Sequence, residues 1–559
     1  MATSAMRPIA DLDNRTRIIV MAGTMLGLFT AAMDQTVIAT SMPRVIADLG
    51  GFGLFSWVGI AFMLASTTTV PIVGKLSDLY GRKPFYMAGI VVLLIGSALC
   101  GLSQSVEQLI AFRIVQGFGA GMIMGIAFAI VGDVFAPAER GRWMGLMSGV
   151  FAAASVIGPL IGGTLTDNVS WRWVFYINIP LGALALTVLF FGMPYIRPDG
   201  RAKVDYLGAA LLCAFVVPLL LAFSWAGNRY AWVSPEIIGS LTWSGMALAV
   251  FTWWELRVEE PILQVSLFKM RVFSVSAVVT LITGFAMMGG LFYIPLFVQG
   301  VIGSSATNSG LVTMPMMIAM AVSSAISGQI MSRLGRYKIL GIVGLVIMVA
   351  GMLVLSRLDV ESTSRDVTMA MVIFGIGLGT SIPLFMLAVQ NAVPYRVMGS
   401  STSAMQFLRS VGGTMGIAVM FTIIQGAYHD GVATSAPAQV VSQPQLAEAL
   451  KDPQFLLNGQ ALVQLQGAFQ QFGADGQALF DQTILAVRTS LADGITDAFF
   501  ISAFIMISAV VAAAFMKELP MRRTHMTEET PLADGVAPPA PRLRPAEAGA
   551  VGLDQVYPQ

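Results

Sequence analysis

Three charged side chains lie inside long apolar stretches of this sequence, where charges are otherwise scarce. They are Asp34, Arg113 and Arg409. An ionisable group deep in an apolar segment is costly and by default functional. A buried carboxyl group can take up and release a proton, and a nearby arginine favours its charged form. We therefore predict that Asp34 carries a proton with Arg113 as its partner; a permanent structural ion pair is the alternative. Arg409 could bind an anionic group, act in gating or pair with Asp34.

The composition indicates a membrane protein. Of the 559 residues, 56% are hydrophobic and 11% are charged, whereas soluble domains carry about 25% charged residues. The net charge is +1 and no basic cluster is present, which excludes nucleic-acid binding as a leading function. The sequence lacks a Gly-x-x-x-x-Gly-Lys-Ser/Thr phosphate loop, which excludes ATP-driven pumping by this chain. We expect no enzyme activity, no cofactor and no metal site.

Apolar runs separated by charged or turn-rich breaks predict fourteen membrane helices. They lie at about 18–42, 56–74, 85–103, 108–131, 143–165, 173–195, 205–225, 236–254, 273–299, 308–331, 338–356, 368–390, 400–425 and 497–516. In lipid, only a helix satisfies its own backbone polar groups in such a run. Asp34 precedes Arg44 by 10 residues, which places its carboxyl group about 15 Å from the outer boundary, near the midplane.

The distribution of basic residues predicts the orientation. Of the 32 Lys and Arg residues, 23 fall on the cytoplasmic side, 7 outside and 2 within spans when the N-terminus is placed inside. Cytoplasmic loops are enriched in these residues, so both termini are predicted to be cytoplasmic. The predicted regions are a cytoplasmic segment 1–17, a six-helix bundle 18–195, two linker membrane helices in 196–256, a second six-helix bundle 257–516 and a disordered cytoplasmic tail 517–559.

One large insert interrupts the second bundle, at 426–496, and it faces outward on this count. Five apolar residues recur within it at helical spacing, namely Phe480, Ile484, Val487, Leu491 and Ile495. This pattern predicts an amphipathic helix that lies on the membrane surface or caps the outer mouth. A helix that packs on the last span without a role in transport is the alternative.

A loop motif occurs twice. Gly74–Lys83 reads Gly-Lys-Leu-Ser-Asp-Leu-Tyr-Gly-Arg-Lys, and a weaker copy at Gly328–Arg336 follows 254 residues later. Each copy joins the second and third helices of a six-helix unit. Such a repeat implies two similar halves related by an axis along the membrane normal, with the substrate site between them.

The chain resembles the major facilitator superfamily, whose cytoplasmic signature reads Gly-x-Leu-Ala-Asp-x-x-Gly-Arg-Lys. The first copy matches closely, and in the second Ser332 replaces the acid. Leu109–Gly121 is similar to the fourth-helix motif of the family, and Gly149–Leu165, with Gly158, Pro159, Gly162 and Gly163, is similar to the fifth-helix motif associated with antiporters that export. Met33–Ala39 and Trp171–Gly182 are similar to motifs of the fourteen-span drug:proton antiporters. The resemblance covers nearly all residues from 18 to 516.

The resemblance implies an all-α membrane protein with the major facilitator fold, made of two six-helix bundles plus two extra transmembrane helices. It also implies a proton-coupled antiporter that exports lipophilic, cationic drugs or toxic compounds by alternating access across a bacterial cytoplasmic membrane. Its expected partners are small-molecule substrates, protons and membrane lipids, and we expect a monomer. A dedicated exporter of a lipid or secondary metabolite is the alternative transport function, and a non-transporting sensor is a third.

Specific residues are expected to carry this function. In the family, the first loop latches the cytoplasmic side, which assigns Gly74, Asp78, Gly81 and Arg82 to a gate, with Asp133 as the partner of Arg82; alternatively these charges only fix topology. Asp78 is expected to meet the positive end of a helix in the other half. Gly158, Pro159, Gly162 and Gly163 are expected to seal the resting cavity or simply to permit close packing. We predict a substrate cavity lined by Trp57, Gln116, Phe285, Met288, Tyr293 and Arg409.

Overall fold

The computed structural model describes residues 13–49, 55–135, 137–195, 204–227, 229–304, 306–394, 397–450, 456 and 459–519. Residues 1–12 and 196–203, and the tail from 520 onward that was expected to be disordered, lie outside the described residues. Within the described ranges the protein is helical, apart from an isolated β-bridge between Ala226 and Tyr230.

Eighteen α-helices follow one another along the described chain. They are α1 (Asn14–Leu49), α2 (Phe55–Tyr80), α3 (Arg82–Gly101), α4 (Val106–Val134), α5 (Pro137–Asn168), α6 (Trp173–Tyr176), α7 (Asn178–Gly192), α8 (Tyr206–Trp225), α9 (Pro235–Glu255), α10 (Arg271–Leu296), α11 (Ala306–Leu334), α12 (Lys338–Leu355), α13 (Ser364–Ala392), α14 (Met398–Ser435), α15 (Ala438–Val441), α16 (Pro444–Ala449), α17 (Gly459–Phe469) and α18 (Gly476–Ala514). Short 3₁₀ turns cover Val265–Lys269 and Gln470–Asp475, and a π turn covers Phe297–Val301.

Polar residues at the helix starts explain several of these boundaries. Ser105 accepts a hydrogen bond from the Gln108 amide and begins α4. Ser234 does the same before Pro235 at the start of α9. Thr363 and Asp366 form a reciprocal capping box at the start of α13. Such caps satisfy amide groups that have no partner within the helix.

Fourteen of the described helical segments are long and apolar enough to cross a membrane, which confirms the predicted number. Helices α1–α5 form the first five, and α6 together with α7 forms the sixth. Helices α8 and α9 are the two linker helices, and α10–α14 with α18 are the second set of six. The protein is therefore a multi-pass membrane protein with the predicted arrangement of six, two and six helices.

The two sets of six pack mainly within themselves. In the first set, α4 packs against α2 and α3, and α1 packs against α5 and α7. In the second, α13 packs against α11 and α12, and α14 packs against α10 and α18. The linker helices α8 and α9 pair with each other, and α8 also contacts α2 and α14. The linker pair therefore lies beside the line where the two halves meet.

The halves meet mainly through two helix pairs, α5 with α11 and α2 with α14, and also where α4 contacts α14 and α5 contacts α13. In the first pair the backbones of Gly141 and Gly328 are so close that a side chain at either position would overlap the other helix. The Ser324 hydroxyl donates to the Ser148 hydroxyl at 3.3 Å. In the second pair Gly74 packs directly on Ser403. All of these contacts lie toward the cytoplasmic ends of the helices, so the cytoplasmic side is closed in this structure.

The outer insert differs from its prediction. Helix α14 continues to Ser435 and α18 begins at Gly476, so the segment between them is 436–475 rather than 426–496. The predicted surface or capping helix is wrong, because its apolar stripe belongs to the continuous α18 and packs on α14. Val487, Leu491 and Ile495 are fully buried. The charges on the exposed face of the same helix, such as Asp493, lowered the hydropathy of the segment and made it resemble a loop.

The contact between Ser148 and Ser324 provides a test of the closed cytoplasmic side. Because their hydroxyl oxygens are 3.3 Å apart, the Cβ atoms fall near the separation that a disulfide requires. We expect the double variant Ser148→Cys, Ser324→Cys to cross-link on mild oxidation, to lose transport and to regain it on reduction. Gel mobility after cleavage of the 196–203 segment with an engineered protease site measures the cross-link.

The single-cysteine variants are the controls for this experiment. They should transport normally before and after oxidation. Failure of the double variant to cross-link in purified, folded protein would contradict the closed arrangement.

Candidate functional site

Asp34 lies in the middle of α1 and is 97% buried, with 3% of its surface exposed. Three side chains donate hydrogen bonds to its carboxylate. Arg113 donates from Nη1 to Oδ2 at 2.6 Å, and the two form an ion pair. Gln116 and Asn178 donate from their side-chain amides to Oδ1 at 2.6 and 2.8 Å. Both carboxylate oxygens are therefore occupied by donors from α4 and α7.

A second set of contacts holds these donors in place. Ser97 of α3 accepts from the amides of Gln116 and Asn178 at 2.7 and 3.1 Å. The side-chain amide oxygen of Gln116, Oε1, accepts from Arg113 at 2.7 Å and from the Cys100 thiol at 3.6 Å. We call Asp34, Ser97, Arg113, Gln116 and Asn178 the Asp34 cluster. Its members come from α1, α3, α4 and α7, all in the first half of the protein.

Helix α2 covers the arginine from the other side. The Nε atom of Arg113 donates to the Val58 carbonyl oxygen at 3.3 Å. The guanidinium carbon lies 4.1 Å from the centroid of the Phe62 ring, a distance at which the cation is attracted to the ring face. Arg113 is thus 99% buried, with 1% exposed, and remains hydrogen-bonded on several sides. Such complete pairing is what allows a charged pair to exist in a dry interior.

The Asp34 cluster corrects two expectations. Gln116 was placed in the substrate cavity, but both ends of its amide are hydrogen-bonded inside the cluster. The alternative pairing of Arg409 with Asp34 is absent, because the described partners of Asp34 are Arg113, Gln116 and Asn178. Sequence reasoning missed Asn178 and Ser97. Asn178 stands at the break between α6 and α7, and this polar residue within an apolar run was the available signal.

Charge balance allows the pair to lie in the interior of the protein. Asp34 and Arg113 carry opposite charges and neutralise each other at close range. An unpaired buried charge is strongly unfavourable, so each of the two side chains requires the other in this position.

A second group of charges lies at the cytoplasmic ends of α2, α3 and α4. Arg82 donates from Nε to Asp133 Oδ2 at 2.7 Å, from Nη1 to Ser77 Oγ at 2.7 Å, and pairs with Asp78 Oδ1 at 2.5 Å. We call Asp78, Arg82 and Asp133 the cytoplasmic cluster. The structure thus brings together the pair that the sequence analysis matched, Arg82 with Asp133.

Asp78 connects this cluster to the second half of the protein. Its carboxylate accepts hydrogen bonds from the backbone amides of Gly399 and Ser400 at 3.1 and 2.6 Å. These amides belong to the first turn of α14, where the helix dipole places partial positive charge. Asp78 therefore meets the positive end of a helix in the other half, as the sequence analysis expected.

Glycines make this junction close. Gly81 joins α2 to α3 with φ of 96°, a backbone conformation that other residues rarely adopt. A side chain at Gly399 would overlap Arg82 and Asp78. Together with Gly74 against Ser403, these positions explain why small residues surround the cytoplasmic cluster.

Arg140 is a further buried arginine, and it lies between the predicted fourth and fifth spans. It is 1% exposed and donates to the carbonyl oxygens of Phe135 and Gly132 at 2.9 and 2.7 Å. It also donates to the Gln390 carbonyl oxygen of α13 at 3.3 Å. Arg140 therefore forms another bond between the halves on the cytoplasmic side.

The linker helices are attached to the same region. Lys75, in the loop motif, pairs with Glu260 after α9 at 2.7 Å. Asp205 caps α8 by accepting from the Gly208 amide at 2.8 Å, and it also accepts from the Trp254 indole at 3.0 Å. Glu255 is 97% buried, with 3% exposed, and accepts from the Leu263 amide. None of these contacts with the linker was predicted.

The remaining predicted site residues are dispersed. Gly158 of α5 packs on Thr36 of α1, which explains the need for a small residue there, and Gly162 is buried. Space next to Gly163 is open, and the side chain of Pro159 lies outside the described side chains. Trp57 contacts Trp225 of α8, with ring centroids 5.9 Å apart.

The aromatic and methionine residues expected in the cavity occupy the packing between α10 and α14. Tyr293 donates to the Ile417 carbonyl oxygen at 2.6 Å. Phe285 lies against Gly416, and Met288 against Gly413. Arg409 is partly exposed, and its guanidinium carbon lies 6.0 Å from the centroid of the Phe128 ring in α4. Among the side chains that the structure describes, no group of three His, Cys, Asp or Glu residues is placed to hold a metal ion.

Comparison with known proteins decides the family. The family model described as Major Facilitator Superfamily matches residues 24–417. The chain belongs to this superfamily. Among the curated members of similar sequence, the multidrug transporter protein MdtP of Bacillus subtilis (strain 168) is 34% identical over 511 residues, which are 90% of this chain and 94% of the relative. Multidrug resistance protein 3 of the same organism is 38% identical over 443 residues, 77% of this chain and 86% of the relative.

Solved structures of other major facilitator proteins share the fold. The crystal structure of the human organic anion transporter MFSD10 (TETRAN) aligns with a TM-score of 0.57 at 14% identity and covers 88% of this chain and 99% of that one. The proton:xylose symporter XylE aligns with a TM-score of 0.54 at 12% identity and covers 91% and 97%. At such identities the likeness concerns the fold alone. As a major facilitator protein, the chain is a transporter of small molecules.

The contact between Asp78 and α14 provides a test of the cytoplasmic cluster. Asp78→Asn replaces one accepting oxygen by an amino group that faces the α14 amides or Arg82, and it removes the charge that attracts both. The loss of a hydrogen-bond acceptor from a buried site lowers the stability of the contact by about 1–3 kcal/mol. We expect the cytoplasmic side to open more often, so that the Ser148→Cys, Ser324→Cys pair cross-links about tenfold more slowly.

The matched control is Glu139→Gln, because Glu139 is an exposed carboxylate on the same side of the membrane. It should leave the cross-linking rate unchanged. An unchanged rate in the folded Asp78→Asn protein would show that Asp78 does not hold the halves together.

Proposed function

We propose that the protein exports lipophilic compounds from the cytoplasm in exchange for protons. The observation that carries this proposal is the Asp34 cluster, in which one buried carboxylate is held by three donors from two other helices. The relatives named as multidrug proteins support export of drugs. Their sequence similarity spans most of both chains, so the comparison concerns the whole transporter rather than one segment.

In the proposed cycle, Asp34 is the proton carrier and Arg113 is its electrostatic partner. A proton that arrives from outside neutralises Asp34 and weakens its hold on Arg113. Because Gln116 shares the same helix α4 and Asn178 lies on α7, the three hydrogen bonds that join α1 to these helices weaken together. The helices of the first half can then shift, and release of the proton to the cytoplasm restores the ion pair.

The cytoplasmic cluster acts as the inner closure in this cycle. Substrate can enter from the cytoplasm or the inner leaflet only after Asp78 leaves the α14 amides and α5 separates from α11. Substrate then leaves outward when these contacts re-form. The alternative in which the loop charges only fix topology does not account for the hydrogen bonds between Asp78 and the other half.

The energy available from protons is sufficient for export against a gradient. One charge moving across 100 mV releases about 2.3 kcal/mol, and each unit of pH difference adds about 1.36 kcal/mol.

We place the protein in a bacterial cytoplasmic membrane as a monomer, with a first bundle 18–195, linker helices in 196–256 and a second bundle 257–516. Substrate is moved without covalent change.

The structure weakens the argument for a cationic preference. A cationic substrate would need an acidic side chain as its counter-charge, and Asp34, the acid that lies inside an apolar run, is already paired with Arg113. Lipophilic character is therefore the part of the substrate class that we retain. A dedicated lipid exporter receives no specific support, since the outer insert that would guide a lipid is reduced to 436–475.

Substitution of Asp34 provides the test of coupling. We expect Asp34→Asn to abolish export driven by a pH gradient in proteoliposomes, while exchange of labelled for unlabelled substrate without a gradient continues. This separates loss of the proton step from loss of substrate binding. Dye efflux from cells, with and without a proton ionophore, gives the same comparison in the native membrane.

Two further variants make the outcome decisive. Asp34→Asn leaves Arg113 buried without a counter-charge. The double variant Asp34→Asn, Arg113→Gln removes both charges, so it should be as stable as the wild type and as uncoupled as Asp34→Asn. Asp430→Asn neutralises an exposed carboxylate near the outer end of α14 and should transport normally. Gradient-driven export by the double variant at the wild-type rate would refute the role of Asp34.

A further inference from the structure

Arg409 is a cation within the membrane region for which the described part of the chain provides no anionic partner. It lies on α14, eleven residues after the cytoplasmic start of that helix. Among the residues described, it forms neither an ion pair nor a hydrogen bond, and its guanidinium carbon lies 6.0 Å from the centroid of the Phe128 ring. The side chain is partly exposed rather than enclosed.

The buried cations of the described chain, unlike Arg409, have polar partners. Arg113 pairs with Asp34, and Lys75 pairs with Glu260. Arg140 donates to three carbonyl oxygens. A charged group removed from water is costly unless it is paired and hydrogen-bonded. Arg409 therefore occupies a place where its donors remain available to water or to a ligand.

The orientation of Arg409 places these donors between the two halves. Helix α10 packs against the backbone of Arg409 through Gly284, where a side chain would overlap it. The guanidinium extends instead toward Phe128 of α4, in the first half. The group thus reaches across the surface along which the halves separate during alternating access.

Gln406 adds a second polar group beside Arg409. It precedes Arg409 by three residues on α14, so the two side chains lie on the same helix face. Gln406 is only 4% exposed, and its amide oxygen is buried without a partner. Neither end of this amide bonds to another described residue. A buried polar group with unused bonding capacity is uncommon and is explained when a ligand completes it.

We propose that Arg409, Gln406 and Phe128 form a binding site for the carboxylate of an aromatic substrate. The planar guanidinium matches a carboxylate through two parallel hydrogen bonds. The Gln406 amide offers a further donor, and the Phe128 ring offers an apolar face for the aromatic part of the ligand. The inference rests on the proposed export function and narrows its substrates to lipophilic carboxylates, including zwitterions.

A pair of dyes that differ by one methyl group tests this site. The probes are a rhodamine with a free benzoate carboxylate and the methyl ester of the same dye, which share one cationic ring system. Binding to purified full-length protein is measured by fluorescence polarisation. We expect Arg409→Gln to weaken binding of the carboxylate dye about tenfold and to change binding of the ester less than twofold.

Two other variants control for charge and for folding. Arg409→Lys keeps the charge without the planar fork and should fall between wild type and Arg409→Gln for the carboxylate dye. Arg365→Gln removes an exposed arginine at the start of α13 and should bind both dyes as wild type does. Thermal melting of each purified variant reports whether it is folded.

The outcomes separate this inference from the proposed function. Equal loss of both dyes in folded Arg409→Gln, or no loss of either, overturns the carboxylate site. Selective loss of the carboxylate dye supports it, whether or not the reconstituted protein exports dye under a pH gradient. Absence of gradient-driven export of both dyes by the wild type refutes the export function alone, because the binding measurement still decides the role of Arg409.

Discussion

The ion pair between Asp34 and Arg113 is the constraint around which the first half of the protein is arranged. Two opposite charges can stay in a dry interior only when they neutralise each other and when their remaining hydrogen-bonding positions are filled. Here Gln116 and Asn178 fill the second carboxylate oxygen, and Ser97 holds both amides. Four helices must therefore converge on one carboxylate. A change in the charge of this carboxylate would alter the hydrogen bonds that hold these helices together.

Helix α4 connects this pair to the closed cytoplasmic side. At its outer part it carries Arg113 and Gln116, which hold Asp34. At its inner end it carries Asp133, which holds Arg82, and the Gly132 carbonyl oxygen, which holds Arg140. Twenty residues of helix separate Arg113 from Asp133, a distance of about 30 Å.

A continuous helix transmits a tilt along its length without a chain of small side-chain movements. The same α4 presents Phe128 to Arg409 between the two ends. The proposed proton site, the proposed carboxylate site and the inner closure thus share one rigid element. In the proposed cycle, occupation of one site shifts the helix on which the others are built, which is the physical requirement for coupled transport.

The sequence predicts those parts of the protein that depend on charge and on hydrophobicity. Asp34 and Arg113 could be paired because charges inside apolar runs are scarce, and Asp133 could be matched to Arg82 because both lie at the same membrane boundary. Ser97 and Asn178 could not be assigned, since uncharged polar residues are common in membrane helices. Their role appears only when α3 and α7 are brought against α1.

Helix ends and packing faces were harder to predict from the sequence than the charged pairs. The outer portion of α18 was predicted as a separate amphipathic helix of the outer insert, rather than as part of the last span, because hydropathy averages over both faces of a helix. One face carries exposed acids such as Asp481 and Asp493, while the other is buried on α14. Gln116 was assigned to the cavity for a related reason. Spacing along α4 does not show whether an amide points between the halves or into its own half, and here it points at Asp34.

The linker helices follow from the same principle of local pairing. On the cytoplasmic side Lys75 of α2, in the first half, binds Glu260 after α9. Near the opposite side, the Trp232 indole between α8 and α9 donates to Thr422 of α14, in the second half, at 2.5 Å. These two bonds therefore reach the first half at the inner end of the linker and the second half at its outer end, where the Trp225 ring of α8 also meets Trp57 of the first half. If the halves rock about the midplane, these attachment points move in different directions. The linker pair would then tilt with the halves or release one of its contacts.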